Sequence, residues 1–251
     1  MNVITLLRRN IKWRFHNAFT IVITILQPML WLVLYSAVAG QSMKGLGIPN
    51  YTAFIMPGLV VLVSFGACSS SGIMNYLMKA DGSFYRILTA PVQRSAIVMG
   101  QLLEAVLCTF LEVGIMFGAG AFFSVRIASG LSGFLAIVLL VFLTSLFMAG
   151  LSYAVSLSLP NEVAYETVMN AVVLPVFFLS TALFPADTLT GALKMAVDLN
   201  PFTHVINALR ALILQGGIET AALLKVAVMM AVLCVLSYNW AFSRLSRENV
   251  K

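Results

Sequence analysis

Glu104 and Glu112 are the two acids in an apolar run from Ala96 to Val125. Eight residues apart, they lie about 80° apart around a helix of 3.6 residues per turn, so both can face one interior. A carboxylate at membrane depth is costly, and its presence marks a pathway, a proton relay or an ion pair. Glu112 sits deep enough to handle a proton or a substrate. Glu104 is nearer one end, where it either joins Glu112 or is solvated or paired with Arg94 or Arg86. Other reactive groupings are sparse. Ser69-Ser70-Ser71-Gly72 lacks the Gly-x-Ser-Gly surroundings of an intramembrane serine nucleophile and reads as small residues for helix packing. Gly40 and Gly45 have phosphate-loop spacing, but Leu46 stands where the phosphate-binding Lys is required. His16 and His204 are too far apart in topology to share a metal. Cys68, Cys108 and Cys234 all fall within apolar runs and act as small hydrophobes. The chain is expected to catalyse nothing alone and to bind no metal or cofactor.

The elements that position these acids follow from composition. The chain is 61% hydrophobic and 10% charged, against about 25% charged in soluble domains. That balance fits an all-α, polytopic membrane protein. A span needs about 20 apolar residues, and six segments qualify: about 18–40, 54–78, 96–125, 131–159, 167–184 and 221–243. No polar linker separates them, so residues 1–251 form one domain. The first apolar run is too long, and lacks the small-residue pattern, for a cleavable signal peptide. Gly114-x-x-x-Gly118 with Gly120 is a packing device within or between chains. Pro57 and Pro175 are expected to kink their spans. The net charge of +6 reads as a basic cytoplasmic face rather than a nucleic-acid site.

Ten of the 15 Lys and Arg residues lie in the N-terminus, the loop after the second span and the C-terminal tail. Five lie in the intervening outer segments. This bias puts both termini in the cytoplasm. The N-terminal 17 residues are expected to form an interfacial helix. Val3, Ile4, Leu7, Ile11 and Phe15 share one face, and Arg8, Arg9 and Lys12 the other. Arg14 intrudes on the apolar arc and is expected to snorkel. The helix is either a lipid anchor or a docking element. The inner loop 79–91 breaks two apolar runs with Asp81-Gly82, and its Phe84, Arg86 and Leu88 suit a short docking helix ahead of Pro91. Residues 185–217 read as a re-entrant helical hairpin on the outer side. Asp187 or Thr188 caps its first helix, Asn200-Pro201 starts its second, and Gly216-Gly217 ends it.

Three motifs then resemble a known family. Met56-Pro57-Gly58-Leu59 opens the second span. Asp81-Gly82-Ser83 leads through Arg86 and Leu88 to Pro91. Leu179-Ser180-Thr181-Ala182-Leu183-Phe184-Pro185 is followed by Asn200-Pro201-Phe202-Thr203-His204 and Ala208-Leu209-Arg210. In order and spacing these resemble the permeases of type-2 ABC exporters, a group that includes daunorubicin-resistance and nodulation-factor export permeases. Tyr85 and Asn207 stand where that pattern often has acids. The resemblance implies two permease chains, identical or paralogous, paired over two cytoplasmic ABC ATPase subunits that carry ATP and Mg. It implies a bacterial plasma-membrane location. It also implies that the N-terminal helix and the 79–91 loop contact the ATPases, while the hairpin, with Pro185, Asn200, Pro201 and Arg210, caps the pathway. The few polar groups in the spans suit an amphipathic drug, lipid or glycolipid as cargo. The competing reading is a proton-coupled secondary carrier titrating Glu104 and Glu112. It is disfavoured because only the segment after the fifth span is broken, where a carrier often shows paired broken helices.

Overall fold

The computed structural model describes residues 3–15, 22, 26–27, 29–34, 37, 51–122, 125, 127–183, 190–217 and 219–248. Among these residues there is no strand. The helices are α1 (Val3–Arg14), α2 (Tyr51–Ala80), α3 (Ser83–Thr89), α4 (Arg94–Phe122), α5 (Gly130–Ser156), α6 (Glu162–Phe178), α7 (Gly191–Leu199), α8 (Pro201–Leu214) and α9 (Thr220–Arg247). Among the described residues, four stretches are long and apolar enough to cross a membrane: Thr52–Ala80, Arg94–Ala121, Gly130–Ser156 and Thr220–Arg247. The expected first span, 18–40, lies mostly outside the described residues. Within it, residues 29–34 are helical and Leu32 is buried.

The expected fifth span is displaced. α6 begins at Glu162 because the Asn161 side chain accepts from the Ala164 N–H at 2.8 Å and caps the helix. It ends at Phe178, so 160–166 is mostly helix and the 179–183 motif is a turn.

α2 is the axis of the bundle, packed against α4, α5, α6 and α8, while α9 runs along α5. Small residues permit the close crossings. A Cβ at Gly58 would stand 2.7 Å from the Ala182 Cβ, and one at Gly150 would stand 2.5 Å from the Ser237 Oγ. Gly114 and Gly118 behave differently. Both are exposed, and a Cβ at either meets nothing within 4 Å. Among the described residues no helix packs on these two, whereas Gly120 of the same run is buried, and a Cβ there would collide with the Met56 Cε.

The two ends of the bundle are each tied together. At one end Lys79 pairs with Glu248 at 2.7 Å, Tyr76 donates to the Leu159 carbonyl, and Arg94 donates to the carbonyls of Leu245, Ser246 and Glu248. Arg94 thereby meets the orphan carbonyls and negative dipole at the end of α9. At the other end Ala128 N–H donates to the Ile213 carbonyl at 3.1 Å. There Arg210 also reaches the Phe54 carbonyl.

Candidate functional site

The Glu104 carboxylate is withdrawn from solvent and fully engaged. Arg14 donates to its Oε1 at 2.9 Å, Ser71 Oγ donates to Oε2 at 2.7 Å, and Cys108 Sγ approaches Oε1 at 3.3 Å. Arg14 also donates to Ser70 Oγ at 3.1 Å. The network continues upward: Gln101 donates to Ser71 Oγ at 2.9 Å and to its carbonyl at 3.1 Å, and Asn10 donates to Gln101 Oε1 at 3.2 Å. Three elements meet here, α1, α2 and α4. Such a pair survives burial only when its remaining hydrogen-bonding sites are filled, as they are around Glu104.

This geometry corrects two expectations. Arg14 does not snorkel outward, and Glu104 is paired with neither Arg94 nor Arg86. The signal in the sequence was Leu6, Asn10 and Arg14 at i, i+4, i+8, one stripe of α1. Leu6 and Asn10 are buried on it, and a Cβ at Gly100 of α4 would meet the Leu6 Cβ at 3.0 Å. The stripe expected to be apolar leaves Ile4 and Phe15 exposed, where lipid can cover them. Arg8 and Lys12 are exposed on the far side. Arg9 donates to Asn10 Oδ1 at 3.0 Å and lies against Met78 Sδ.

Glu112 is not in this network. It is 5% exposed and lines a cavity of about 310 Å³ between α2 and α6. Trp31, Phe65, Ser69, Ser70 and Phe177 share the wall. The 80° between the acids therefore separates them. Glu104 turns to α1 and Glu112 to the cavity, and among the described residues no hydrogen bond links them. Ser70 touches both regions, through Arg14 and through the cavity wall.

At the polar end, Gly82 adopts φ 72° and lets the chain turn directly into α3. The Ser83 N–H donates to Asp81 Oδ1 at 2.8 Å and holds that carboxyl below its usual range, with Arg86 and Arg9 assisting. α3 does not present the face expected. Phe84 is 1% exposed and Ile87 is buried, both inside the chain's own core, with the Lys79 ammonium 5.1 Å from the Phe84 ring. An amphipathic helix of seven residues has one apolar face, and the bundle already takes it. Asp81, Tyr85, Arg86 and Pro91 are outward, and Leu88 is half-buried.

At the opposite end, the Asn200 side chain accepts from the Phe202 N–H at 3.0 Å and donates to the carbonyls of Val176 and Leu179, both at 2.7 Å. It caps α8 and clasps the end of α6, with Pro201 in the first helical turn. Gly216, φ 79°, stands just beyond the other end of α8. The helix before it starts after Thr190, and the expected cap at Asp187 or Thr188 lies outside the described residues, as does Pro185. Arg210 donates to the Phe54 carbonyl at 3.2 Å, to Asn207 Oδ1 at 3.1 Å and to the Thr181 carbonyl, with its guanidinium 4.0 Å from the Phe54 ring. Arg210 thus joins the 179–183 turn to the opening of α2, and the 56–59 motif lies against that same turn through Gly58 and Ala182.

Comparison with known proteins identifies a family for the chain. A family model described as ABC-2 type transporter matches residues 1–214. The transport permease ycf38 of Porphyra purpurea is 29% identical over 201 residues, covering 79% of this chain and 68% of that protein. Nodulation protein J of Rhizobium leguminosarum bv. trifolii is 26% identical over 220 residues, covering 85% of this chain and 82% of its own length. A daunorubicin resistance ABC transporter permease protein of Streptomyces coeruleorubidus is 25% identical over 209 residues, covering 80% and 72%. This chain belongs to the ABC-2 type transporter family.

Proposed function

We propose that this chain is the permease half of an ATP-driven exporter. Two copies, or one copy and a paralogue, form the pathway, and two separate cytoplasmic ABC ATPase subunits drive it. Six spans cross a bacterial inner membrane with both termini inside, the first within 18–40 and the fifth built on α6. Residues 1–251 act as one transmembrane domain, and the 185–217 hairpin closes the outer side. The cargo is an amphipathic drug, lipid or glycolipid. Relatives named for daunorubicin resistance support the drug class.

The observation that carries this reading is the polar end of the bundle. There the Asp81-Gly82 turn exposes Asp81, and α3 exposes Tyr85 and Arg86, beside a basic α1. That surface suits a cytoplasmic partner, and α1 is bonded from there into the Glu104 cluster. The carrier alternative is disfavoured because its two acids do not share one chamber: Glu104 is bonded to Arg14 and Ser71, and Glu112 lines the cavity. The test is to purify the tagged full chain from its native membrane and to add daunorubicin to the medium around inside-out vesicles of that membrane. Co-purification of an ABC ATPase with ATP-dependent accumulation is expected. Accumulation driven by a proton gradient without ATP would reverse the choice.

A further inference from the structure

The cavity beside Glu112 has an unusual wall for its depth. Among the described residues that line it, Glu112 is the one ionisable group. The rest of the wall is aromatic and aliphatic, with Trp31, Phe65, Phe177 and Phe178, and a few neutral polar groups. Glu112 is more than nine-tenths buried. No hydrogen bond or ion pair reaches it from the described residues. The nearby Arg14 is bonded to Glu104 and Ser70 and reaches Glu112 only through space. Among the described residues, Glu112 therefore has no bonded partner on its side of an aromatic chamber. Buried charges are ordinarily paired, and aromatic faces attract cations directly. At about 310 Å³, the chamber falls in the range of sites for drug-sized ligands.

From this geometry we infer that the cavity between α2 and α6 binds an amphipathic organic cation, its charge on Glu112 and its apolar body on Phe65, Phe177 and Trp31. An inorganic cation would gain one carboxylate and lose most of its hydration, so the apolar wall selects against it. A neutral lipid would leave Glu112 unmet. That such a cation is the cargo rests on the exporter reading; that it binds does not.

The experiment uses the purified full chain in lipid nanodiscs, with ethidium as the cationic probe and Nile red as the neutral one, read by fluorescence titration. Ethidium is expected to bind the native chain in the micromolar range or tighter. A hydrogen bond to a charged group contributes about 1.5–3 kcal/mol, so Glu112→Gln should weaken ethidium roughly ten- to hundredfold. Nile red binding should be unchanged or improved, and Glu112→Asp should recover part of the loss. Gly66 lines the same chamber, and a Cβ there meets nothing within 4 Å. Gly66→Leu should therefore block both probes without disturbing the fold, which thermal unfolding and gel filtration check. Equal ethidium affinity in native and Glu112→Gln chains, or no ethidium binding by the native chain, overturns the site. If ethidium binds as described but no ATP-dependent export appears with the ATPase present, the exporter reading falls and the site stands. If ATP-driven export of other compounds survives in Glu112→Gln with ethidium binding never seen, the reverse holds.

Discussion

Arg14 and Glu104, ninety positions apart in the chain, meet at 2.9 Å with the carboxylate withdrawn from solvent and the guanidinium nearly so. The contact fixes the N-terminal helix to the spans at membrane depth. An interfacial helix that merely floated on lipid would have no such tether. Movement of α1 must therefore move α4 or break the pair.

Removing one partner should be far worse than removing both. Glu104→Leu or Arg14→Met alone leaves a charge buried, a change that costs about 3–5 kcal/mol. Replacing both, as Arg14→Met with Glu104→Leu, should recover most of that loss. Thermal unfolding of the four proteins in detergent gives the coupling directly. Additive losses would mean that the pair is not coupled.

Gly58→Ala should destabilise, because the new Cβ falls 2.7 Å from the Ala182 Cβ and 2.8 Å from its Cα. Backbone cannot yield as a flexible side chain can, and overpacking of this kind costs about 1–3 kcal/mol. Gly114→Ala is the matched control: it is open to 4 Å and should gain up to about 1 kcal/mol from helix propensity. Equal effects at the two glycines would count against the close crossing of α2 and the 179–183 turn.

Changes in α3 should separate into two kinds. Phe84→Ala opens a void in the chain's own core and should cost about 3–5 kcal/mol of stability. Tyr85→Ala and Arg86→Glu alter only outward groups and should leave unfolding within about 0.5 kcal/mol of native. Those two should weaken ATPase co-purification, since the outward face is the one a partner can reach. Native recovery of ATPase with both outward variants would leave α3 as a connector.

The apolar runs made the long helices legible, since a period of about 20 apolar residues needs no tertiary information. Asn200-Pro201 was legible too, because capping is local and its donors lie two residues away. Pairings across the fold were not. Nothing local distinguishes Arg14 from its basic neighbours, and its partner stands ninety positions on, so proximity in sequence favoured Arg94 for Glu104. Phe84 misled for the opposite reason. An amphipathic pattern shows that one face is covered but not whether the chain or a partner covers it.

The sidedness of the protein can be read from its bonded ends. Thr89 is exposed on α3, just ahead of Arg94, and Arg94 holds the carbonyls of Leu245 and Glu248, while Lys79 holds the Glu248 side chain. Thr89 and Ser246 must therefore share one side of the membrane. Thr190 and Leu193 lie on the segment leading into α8, whose far end is bonded to Ala128 and whose Arg210 reaches Phe54. They belong to the other side. Cys68, Cys108 and Cys234 are all buried, so the native chain should give little background with an impermeant maleimide. Single cysteines at Thr190 or Leu193 should label in intact cells, and those at Thr89 or Ser246 only after the cells are opened. The pairing of Thr89 with Ser246 is the stricter demand, because it follows from hydrogen bonds and not from the distribution of charge. Labelling of Thr89 and Ser246 from opposite sides is incompatible with this bundle whichever way it faces.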